Sequence, residues 1–340
     1  MRLWWAAALA LSCATAHAAS NCRLLKIADW EVKPQSGRLI VEGAINGQKV
    51  GILLDTGAQT SFVVRAAADR LALTRHEAVG YRAYGVGGET RAEYAVIDEL
   101  KIGTATRRNW RVFVLGEHDL GSQVAFLLGY DFFDQVDVEF DLAHNAVRLF
   151  QPQDCGDAWL AYWARGGAGT ARLEADNARP GILVPVKLNG TSLVAQIDSG
   201  AGASFVSRRV AAHVGVGPGG ANATPAGNIG GLGAGRPDNW IGSFESFSIG
   251  DEVIRNPNIQ FTNLDVSTSE TGSHLTRQDE LREMLLGLDF LAAHRVFVAN
   301  SQRKLYFTYA GGRVFSESRT ESRAPRPAPT DANRCLPPSC

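Results

Sequence analysis

The chain contains two short segments with nearly the same sequence. Residues 50–58 read VGILLDTGA, and residues 193–201 read LVAQIDSGA. In each segment a mostly apolar run ends at an acidic residue, Asp55 or Asp198, which is followed by a small hydroxyl residue, a glycine and an alanine. One carboxylate at the end of an apolar strand has no evident role, whereas two that are related by a repeat indicate a pair that acts together.

The similarity extends to both sides of the acids and indicates a duplicated lobe. An Asn-Gly dipeptide between apolar runs precedes each acid, and it predicts a hairpin turn because both residue types tolerate positive φ. Matching positions lie 143 residues apart, namely Asn46 and Asn189, Asp55 and Asp198, and Gly87 and Gly230. A later Leu-Gly pair recurs with a larger spacing, and the extra residues fall largely in the polar stretch 267–280, as expected for a loop insertion.

The composition is that of an ordinary globular protein with enough length for two domains. The 340 residues are 45% hydrophobic and carry a formal net charge of -1. Because no basic excess is present to attract phosphate groups, neither a nucleic acid nor an anionic membrane is expected as a partner. The 36 glycines, together with strand-like segments throughout, favour an all-β chain with tight turns.

The first 18 residues have the features of a secretory signal peptide. A positive residue, Arg2, precedes an apolar run over residues 3–15, and the sequence AHA at residues 16–18 fits a cleavage site. This run is too short to span a bilayer, and no later run is long enough. We therefore expect cleavage near Ala18 and export to the bacterial periplasm or outside the cell, with an uncleaved anchor as the alternative.

Four cysteines follow the predicted cleavage site, and in an exported protein an even number permits two disulfide bonds. They are Cys22, Cys155, Cys335 and Cys340. The preferred pairing joins Cys22 to Cys155, at the two ends of the first lobe, and Cys335 to Cys340, although four cysteines allow three pairings. No CxxC motif or histidine cluster has metal-ligand spacing, so no metal site is expected.

The repeat and the composition divide the chain into parts. We expect a signal peptide at 1–18, an N-terminal lobe at 19–150, a linker at 151–180, a C-terminal lobe at 181–310 and a disordered tail at 311–340. The tail is assigned on its Arg, Ser, Pro and Thr content, which offers little apolar surface to bury. Short helices are predicted at 65–73 and 157–165.

These motifs resemble the retropepsin-like and pepsin-like aspartic peptidases. The resemblance covers roughly residues 35–310 in two copies, each with an acid motif and then a Leu-Leu-Gly segment, at 127–129 and 285–287. Two such sets in the same order are far more specific than one Asp-Thr-Gly. The resemblance implies an all-β, bilobal fold of two tandem retropepsin-like β-barrel lobes, with the active site between them. Gln196 departs from the family pattern, which has an apolar residue there.

The resemblance also implies the chemistry of the two acids. Two carboxylates a few Å apart do not readily both ionise, so they share a proton, and Asp55 and Asp198 become a catalytic dyad. One acts as a base on a water molecule and the other as an acid towards the scissile carbonyl group. The residues expected to support the dyad are Thr56, Gly57, Ser199 and Gly200.

Glycine-rich hairpin tips are expected to open and close over the substrate as flaps. The candidate flap and substrate-binding residues are Tyr84, Gly85, Gly87, Gly88, Gly230 and Gly231. Plain hairpin turns are the alternative for the glycines, and packing is the alternative for Tyr84. We interpret Asp131 and Asp289, which follow the Leu-Gly pairs, as helix N-caps rather than as reactive groups.

The sequence therefore favours an aspartic endopeptidase that acts on protein or peptide substrates as a monomer, without a metal or cofactor. One alternative is that each lobe pairs with a lobe of another chain, as in one-lobed retroviral-type enzymes. Another is a catalytically silent protein of the same fold that binds peptides. The intact Asp-Thr-Gly and Asp-Ser-Gly motifs argue against the silent protein, because such a lobe would be free to lose its acid.

Overall fold

The computed structural model describes residues 21–35, 37–121, 123–164, 166–176, 180–264 and 283–315. These residues form mostly β-strands with a few short helices, which confirms the all-β prediction. The predicted signal peptide, the insertion at 267–280 and the pair Cys335 and Cys340 lie outside the described residues. None of the described helices is long and apolar enough to cross a membrane.

The elements of the first half are β1 (Arg23–Glu31), β2 (Lys33–Gln35), β3 (Arg38–Ile45), β4 (Gln48–Leu54), β5 (Phe62–Val64), α1 (Arg65–Arg70), β6 (Arg75–Gly85), β7 (Gly88–Ile102), β8 (Ala105–Leu115), β9 (Val124–Leu128), α2 (Tyr130–Phe133), β10 (Asp137–Asp141) and β11 (Ala146–Gln153). Those of the second half are β12 (Gly169–Arg172), β13 (Leu183–Leu188), β14 (Thr191–Ile197), β15 (Phe205–Ser207), α3 (Arg208–His213), β16 (Ala223–Asn228), β17 (Asp238–Ser243), β18 (Ser246–Ile249), β19 (Glu252–Arg255), β20 (Asn258–Thr262), β21 (Met284–Leu286), α4 (Leu288–Ala293), β22 (His294–Ala299) and β23 (Lys304–Tyr309).

Each half forms its own sheet, and the two sheets share one plan. In the first, the strand order is β2-β3-β4-β9-β5-β8-β7-β6, and in the second it is β16-β17-β20-β15-β21-β14-β13-β18-β19. Strand β9 lies between β4 and β5, parallel to one and antiparallel to the other, and β21 lies in the same way between β14 and β15. The repeat in the sequence is therefore a repeat of strand pairing, which confirms two lobes.

A third sheet of six strands joins the halves, in the order β1-β11-β10-β22-β23-β12. Its central pair is β10 with β22, in which Val138 is paired with Val298 and Phe140 with Val296. The N-terminal lobe predicted at 19–150 includes β10 and β11, but these strands belong to the shared sheet. The exact lobe boundaries stay a prediction, since strands from both halves meet here.

The two Asn-Gly turns have the predicted conformation. Asn46 and Gly47 have φ values of 49° and 79°, and Asn189 and Gly190 have 48° and 80°. Each asparagine also accepts backbone hydrogen bonds through its Oδ1 atom, which for Asn46 come from the N–H groups of residues 98 and 99. The side chain thus joins each turn to a neighbouring strand, which fixes the register of the strand that leads to the acid.

The disulfide between Cys22 and Cys155 is confirmed, with a sequence separation of 133 residues. The helix predicted at 65–73 is shorter, and the helix predicted at 157–165 is wrong, since residues 157–164 form turns that pack aromatic rings onto the shared sheet. The described chain also continues past the predicted end of the second lobe. Phe315 is buried and packs edge-on against Phe247.

Candidate active site

Both acids lie where a buried strand ends at the boundary between the lobes. Asp55 follows β4 and Asp198 follows β14, and the last residues of both strands are buried. The N–H of Asp55 donates to the carbonyl of Leu128 at 3.0 Å, and the N–H of Asp198 donates to Leu286 at 2.9 Å. The Leu-Leu-Gly segments therefore hold the backbone of both acids.

One oxygen of each carboxylate is held by its own loop. Oδ1 of Asp55 and Oδ1 of Asp198 each accept two backbone hydrogen bonds. The donors are the N–H groups of Gly57 at 3.0 Å, Ala58 at 3.0 Å, Gly200 at 2.9 Å and Ala201 at 3.0 Å. Such bonds fix the side-chain orientation of the acid and favour its ionised form. The two carboxylates thus have equivalent surroundings, as a repeat requires.

The hydroxyl residues after the acids join the two loops to each other. Thr56 Oγ1 donates to the carbonyl of Ile197 at 2.7 Å and accepts from the N–H of Ser199 at 3.0 Å. In return, Ser199 Oγ donates to the carbonyl of Leu54 at 2.8 Å and accepts from the N–H of Thr56 at 3.0 Å. Both hydroxyl residues are fully buried. These four hydrogen bonds join the two acid loops at the boundary between the lobes.

The glycines of the two motifs bring each loop against the opposite acid. A Cβ atom on Gly57 would lie 2.3 Å from Cγ of Asp198, and one on Gly200 would lie 2.3 Å from Cγ of Asp55. No side chain fits at those distances. The contact is reciprocal, so the structure brings together all six residues that the sequence predicted for the dyad and its support.

The N-cap interpretation of Asp131 and Asp289 is wrong. Helices α2 and α4 begin there, but the N-cap residue of each is a glycine without a side-chain capping bond. Asp131 instead accepts from the N–H and the hydroxyl of Ser61, at 2.8 Å and 2.7 Å, and Asp289 accepts from the hydroxyl of Ser204 at 2.6 Å. Each serine hydroxyl also accepts a hydrogen bond from the N–H of the glycine that precedes α2 or α4. These aspartates therefore link each helix start by hydrogen bonds to the serine at the end of the acid loop.

The glycine-rich tips of the two lobes touch each other. The first tip is the tight turn at Val86 and Gly87 between β6 and β7, and the second is the loop 229–237 between β16 and β17. The N–H of Gly233 donates to the carbonyl of Val86 at 3.1 Å, and the N–H of Gly235 donates to Gly87 at 2.8 Å. The tips form a backbone bridge between the lobes.

The predicted tip residues divide into two groups. A Cβ atom on Gly85 would lie 2.7 Å from Cβ of Leu232, and one on Gly231 would lie 2.5 Å from the carbonyl oxygen of Val86, so both residues lie in the contact. Gly87 also lies there, with a φ of 90°. Close approach of two backbones accounts for glycine at these positions.

At two other predicted tip glycines an added side chain would not meet the opposite tip, although the backbone nitrogen of Gly88 lies near Gly233. The Cβ positions of Gly88 and Gly230 have no heavy atom of the described residues within 4 Å. Gly88 has a φ of 101°, so the turn conformation accounts for it. Tyr84 is 37% exposed on the flap strand β6. Sequence reasoning missed Gly235, although the spacing GGLGAG at 230–235 was visible.

Gln196, the departure noted in the sequence, also reaches the site. Its side chain is 5% exposed, and Nε2 donates to the carbonyl oxygen of Gly57 at 3.4 Å. The sequence analysis missed this contact across the lobes because nothing in one strand shows what the opposite lobe presents. The described residues contain no group of three or more His, Cys, Asp or Glu side chains placed to hold a metal ion.

A family model matches this chain twice, once in each lobe. A family model described as aspartyl protease matches residues 41–132 and 184–290, which together exceed half of the 340-residue chain. Each match starts in the strand that precedes the acid-bearing strand, β3 or β13, and ends within α2 or α4. A solved structure of the aspartic proteinase from Irpex lacteus is similar at 10% identity, covering 86% of this chain and 98% of that chain, with a TM-score of 0.47. No curated protein matches the sequence.

Proposed function

Because this chain belongs to the aspartyl protease family, we propose that it is an endopeptidase whose catalytic dyad is Asp55 and Asp198. Its substrates are proteins or peptides, and it uses neither a metal nor a cofactor. Both acid loops come from one chain, which favours a monomer over lobes that pair between chains. The disulfide between Cys22 and Cys155 is in keeping with an exported protein.

The reciprocal packing of the acid loops is the observation that supports this proposal most. The backbone of Gly57 lies against the carboxylate of Asp198, and that of Gly200 lies against the carboxylate of Asp55. Two acids held in this way, with backbone donors on one oxygen of each, can hold a proton and a water molecule between them. Their titration belongs to the pair, so neither acid is assigned a fixed role.

The reaction follows from general acid–base chemistry at such a pair. The ionised carboxylate removes a proton from the water molecule, whose oxygen bonds to the scissile carbonyl carbon, while the protonated carboxyl group gives its proton to the carbonyl oxygen. The tetrahedral intermediate then loses the amine as its C–N bond breaks. The nitrogen takes the proton of the protonated carboxyl group, and one hydroxyl of the intermediate returns its proton to the ionised carboxylate, which restores the dyad. A carboxylic acid and an amine are the products.

The flaps support binding of an extended peptide. A peptide strand between the acid loops and the tips would hydrogen-bond along its backbone, as in other cases of strand addition. The bridge from Gly233 to Val86 and from Gly235 to Gly87 must open to admit the peptide. A third backbone hydrogen bond, from the N–H of Glu117 to the carbonyl of Leu232 at 3.2 Å, also joins the second tip to the N-terminal lobe.

A peptide-binding protein without catalysis is the alternative, and digestion of a peptide library separates the two. The protein without its predicted signal peptide should cut the library between about pH 3 and pH 8, and Asp55→Asn and Asp198→Asn should each lower the rate at least about 100-fold. A pepstatin-type inhibitor should abolish the cleavage.

Asp98→Asn is the matched control, because this acid is exposed on β7 and the change removes the same charge. Its rate should equal that of the wild type. If the wild type and both dyad variants leave the library equally uncut, the binding protein is the correct reading. If cleavage persists in both dyad variants, another group or a contaminant is responsible.

A further inference from the structure

The cleft-facing sheet of the C-terminal lobe carries a row of paired residues that crosses four strands. Gln196 is paired with Leu285, Leu285 with Phe205, and Phe205 with Gln260. Residues paired in register lie on the same face of a sheet. Gln196 also precedes Asp198 by two positions, and alternation along the strand puts both on one face. The row therefore belongs to the face that carries the acid.

The position of Gln196 shows where this face points. Its Nε2 atom reaches the carbonyl oxygen of Gly57 in the opposite lobe. At the far end of the row, Gln260 is paired with Ile241 on β17, the strand that begins directly after the flap loop 229–237. The row thus runs from the acid loops to the base of the flap, and we name it the C-terminal wall of the cleft.

The N-terminal lobe has the same row with different chemistry. There Leu53 is paired with Leu127, Leu127 with Phe62, Phe62 with Phe113, and Phe113 with Tyr94. Gln196 therefore corresponds to Leu53, and Gln260 corresponds to Phe113. Asn239, two residues before Ile241, corresponds to Ala92, which lies two residues before Tyr94. Amides in one wall correspond to apolar residues in the other.

The amides of Asn239 and Gln260 have unmet hydrogen bonds. Both side chains are buried, at 2% and 3% exposure, and Asn239 Nδ2 donates to Gln260 Oε1 at 2.5 Å. Asn239 Oδ1 and Gln260 Nε2 have no partner among the described residues. Reversing both amides exchanges the atom names but still leaves one donor and one acceptor.

A buried donor and a buried acceptor without partners are unfavourable for folding. The N-terminal lobe forms the same strand pairs with alanine and phenylalanine, so the fold itself does not need the amides. Their presence in one wall only is explained if another molecule supplies the missing partners when it binds.

We propose that the C-terminal wall of the cleft forms a subsite for an uncharged polar substrate side chain, with a carboxamide, that of Asn or Gln, as its best match. The carboxamide oxygen would accept from Gln260 Nε2, and its N–H would donate to Asn239 Oδ1. The apolar wall of the other lobe would take an apolar side chain. This specificity rests on the proposed function, since it assumes that peptides occupy the cleft.

Asparagine and leucine have nearly the same shape, so a pair of peptides that differ only there isolates the hydrogen bonds. A library digest first locates the substrate position at which carboxamides are enriched. At that position the Asn peptide should exceed the Leu peptide at least about tenfold in kcat/KM, because leucine leaves Asn239 Oδ1 and Gln260 Nε2 without partners. Equal rates, or no enrichment at any position, would overturn the proposal.

The double variant Asn239→Ala/Gln260→Phe rebuilds the pair of the N-terminal lobe. It should remove the preference for Asn or reverse it, while preferences at other substrate positions stay unchanged. If this variant does not fold, Gln260→Met alone removes the donor at similar volume and should weaken the preference. Ser243→Ala is the control, because Ser243 has an exposed hydroxyl group on β17, the strand of Asn239. This variant should leave the preference intact.

Binding separates this proposal from the proposed function. Non-cleavable peptides with Asn or Leu at the located position can be titrated against the wild type and the double variant. If no library peptide is cut but the wild type still prefers the Asn ligand, the subsite is supported and the proposed catalysis is contradicted. If peptides are cut without the preference, the catalysis is supported and the subsite is contradicted. A structure with bound peptide in which only water meets Asn239 and Gln260 would also overturn it.

Discussion

Gly57 and Gly200 each lie where any side chain would enter the space of the opposite carboxylate. The site therefore requires residues without a Cβ atom at both positions. Glycine is needed for this close approach and not for its backbone conformation, since neither glycine has a positive φ. The glycine of each motif is therefore explained by the aspartate of the other motif, against which it packs.

Gly57→Ala tests this contact. The added methyl group must displace Asp198 or separate the loops, and overpacking of this kind costs about 1–3 kcal/mol of unfolding free energy. We expect cleavage to fall at least about 100-fold, because a misplaced acid loses its geometry for proton transfer. Peptide-cleavage rates and urea unfolding measure the two effects.

Gly217→Ala is the matched control, since no heavy atom of the described residues lies within 4 Å of its Cβ position and its φ is not positive. It should retain full activity and stability. An active Gly57→Ala variant would mean that the loops lie further apart than described here.

Single residues were predictable where both copies of the repeat carry the same chemistry. Asp55, Asp198 and the hydroxyl residues after them stand out because the motif occurs twice. Asp131 was assigned to the wrong partner, because helix capping is a local rule and its actual partner, Ser61, lies 70 residues away. Gln196 was noticed as an exception, but its contact requires the other lobe.

At the scale of elements, the two flaps differ in strand length and in the size of the connecting loop. The first is a long hairpin with a tight turn, and the second is a short hairpin that carries a loop of nine residues, 229–237. The sequence predicted both tips from their glycines and matched Gly87 with Gly230. The structure instead brings Gly87 against Gly233 and Gly235, since the longer loop moves the contact along the chain.

Gly233→Ala should therefore disturb flap closure. A Cβ atom there would lie 2.4 Å from the carbonyl carbon of Gly87, so the bridge could not form as it stands. We expect KM to rise about tenfold with a smaller change in kcat, because the flap contributes to substrate binding. Gly230→Ala adds the same methyl group in open space and should stay within about twofold of the wild type.

Equal effects of Gly233→Ala and Gly230→Ala would contradict the tip contact. Protection of the tip amides from hydrogen exchange gives a second measurement. The N–H groups of Gly233 and Gly235 should exchange more slowly than that of Gly230 while the flaps are closed.

Strand β11 carries the charge cluster of the shared sheet. Arg148 lies 2.8 Å from Asp141, 3.3 Å from Asp29 and 3.5 Å from Glu139. Burial acts to raise the pKa of Asp141, but the hydrogen bonds from Arg148 and His144 and the charge of Arg295 outweigh it and lower this pKa. The ionised form of Asp141 is thus favoured in the folded protein.

Arg148→Leu should destabilise the protein by about 3 kcal/mol at pH 7, because it removes one of the two arginines that pair with the buried acids Glu139 and Asp141 and leaves Arg295 as the other. A carboxyl group whose pKa is lowered by folding adds stability above its unfolded pKa and loses it as the pH falls through the folded pKa. The penalty should therefore shrink below about pH 4. Urea unfolding of both proteins at neutral and acid pH measures this.

Arg108→Leu is the control, since Arg108 is 73% exposed and pairs with Glu99 on the surface. Its cost should stay below about 1 kcal/mol at every pH. A penalty for Arg148→Leu that grows in acid would contradict the assigned direction for Asp141.

At the scale of the whole molecule, the shared sheet and the disulfide hold the halves together. Cys22 and Cys155 flank the paired strands β1 and β11 at one edge of that sheet. The sequence predicted this bond because the two cysteines flank the first lobe. It could not predict the pairing of β10 with β22, since Val138 and Val298 are far apart in the chain and share no local pattern.

Removal of the disulfide by Cys22→Ser/Cys155→Ser should lower the unfolding free energy by about 4 kcal/mol, because a bond across 133 residues restricts the unfolded chain. Cleavage at 25 °C should stay unchanged, since the bond lies at the sheet edge and not in the cleft. Urea unfolding and peptide-cleavage rates check both expectations. A large loss of activity in the folded variant would show that the edge of the sheet controls the cleft.

The difference between the two walls has a consequence for the direction of the substrate. A peptide has a polarity, from its amino to its carboxyl end. A site with exact twofold symmetry presents the same surroundings to a strand and to the same strand reversed, so its walls cannot distinguish the two orientations. Here one wall carries Gln196 and Gln260 where the other carries Leu53 and Phe113. If a peptide occupies the cleft as proposed, this difference between the walls distinguishes the two directions in which it can bind.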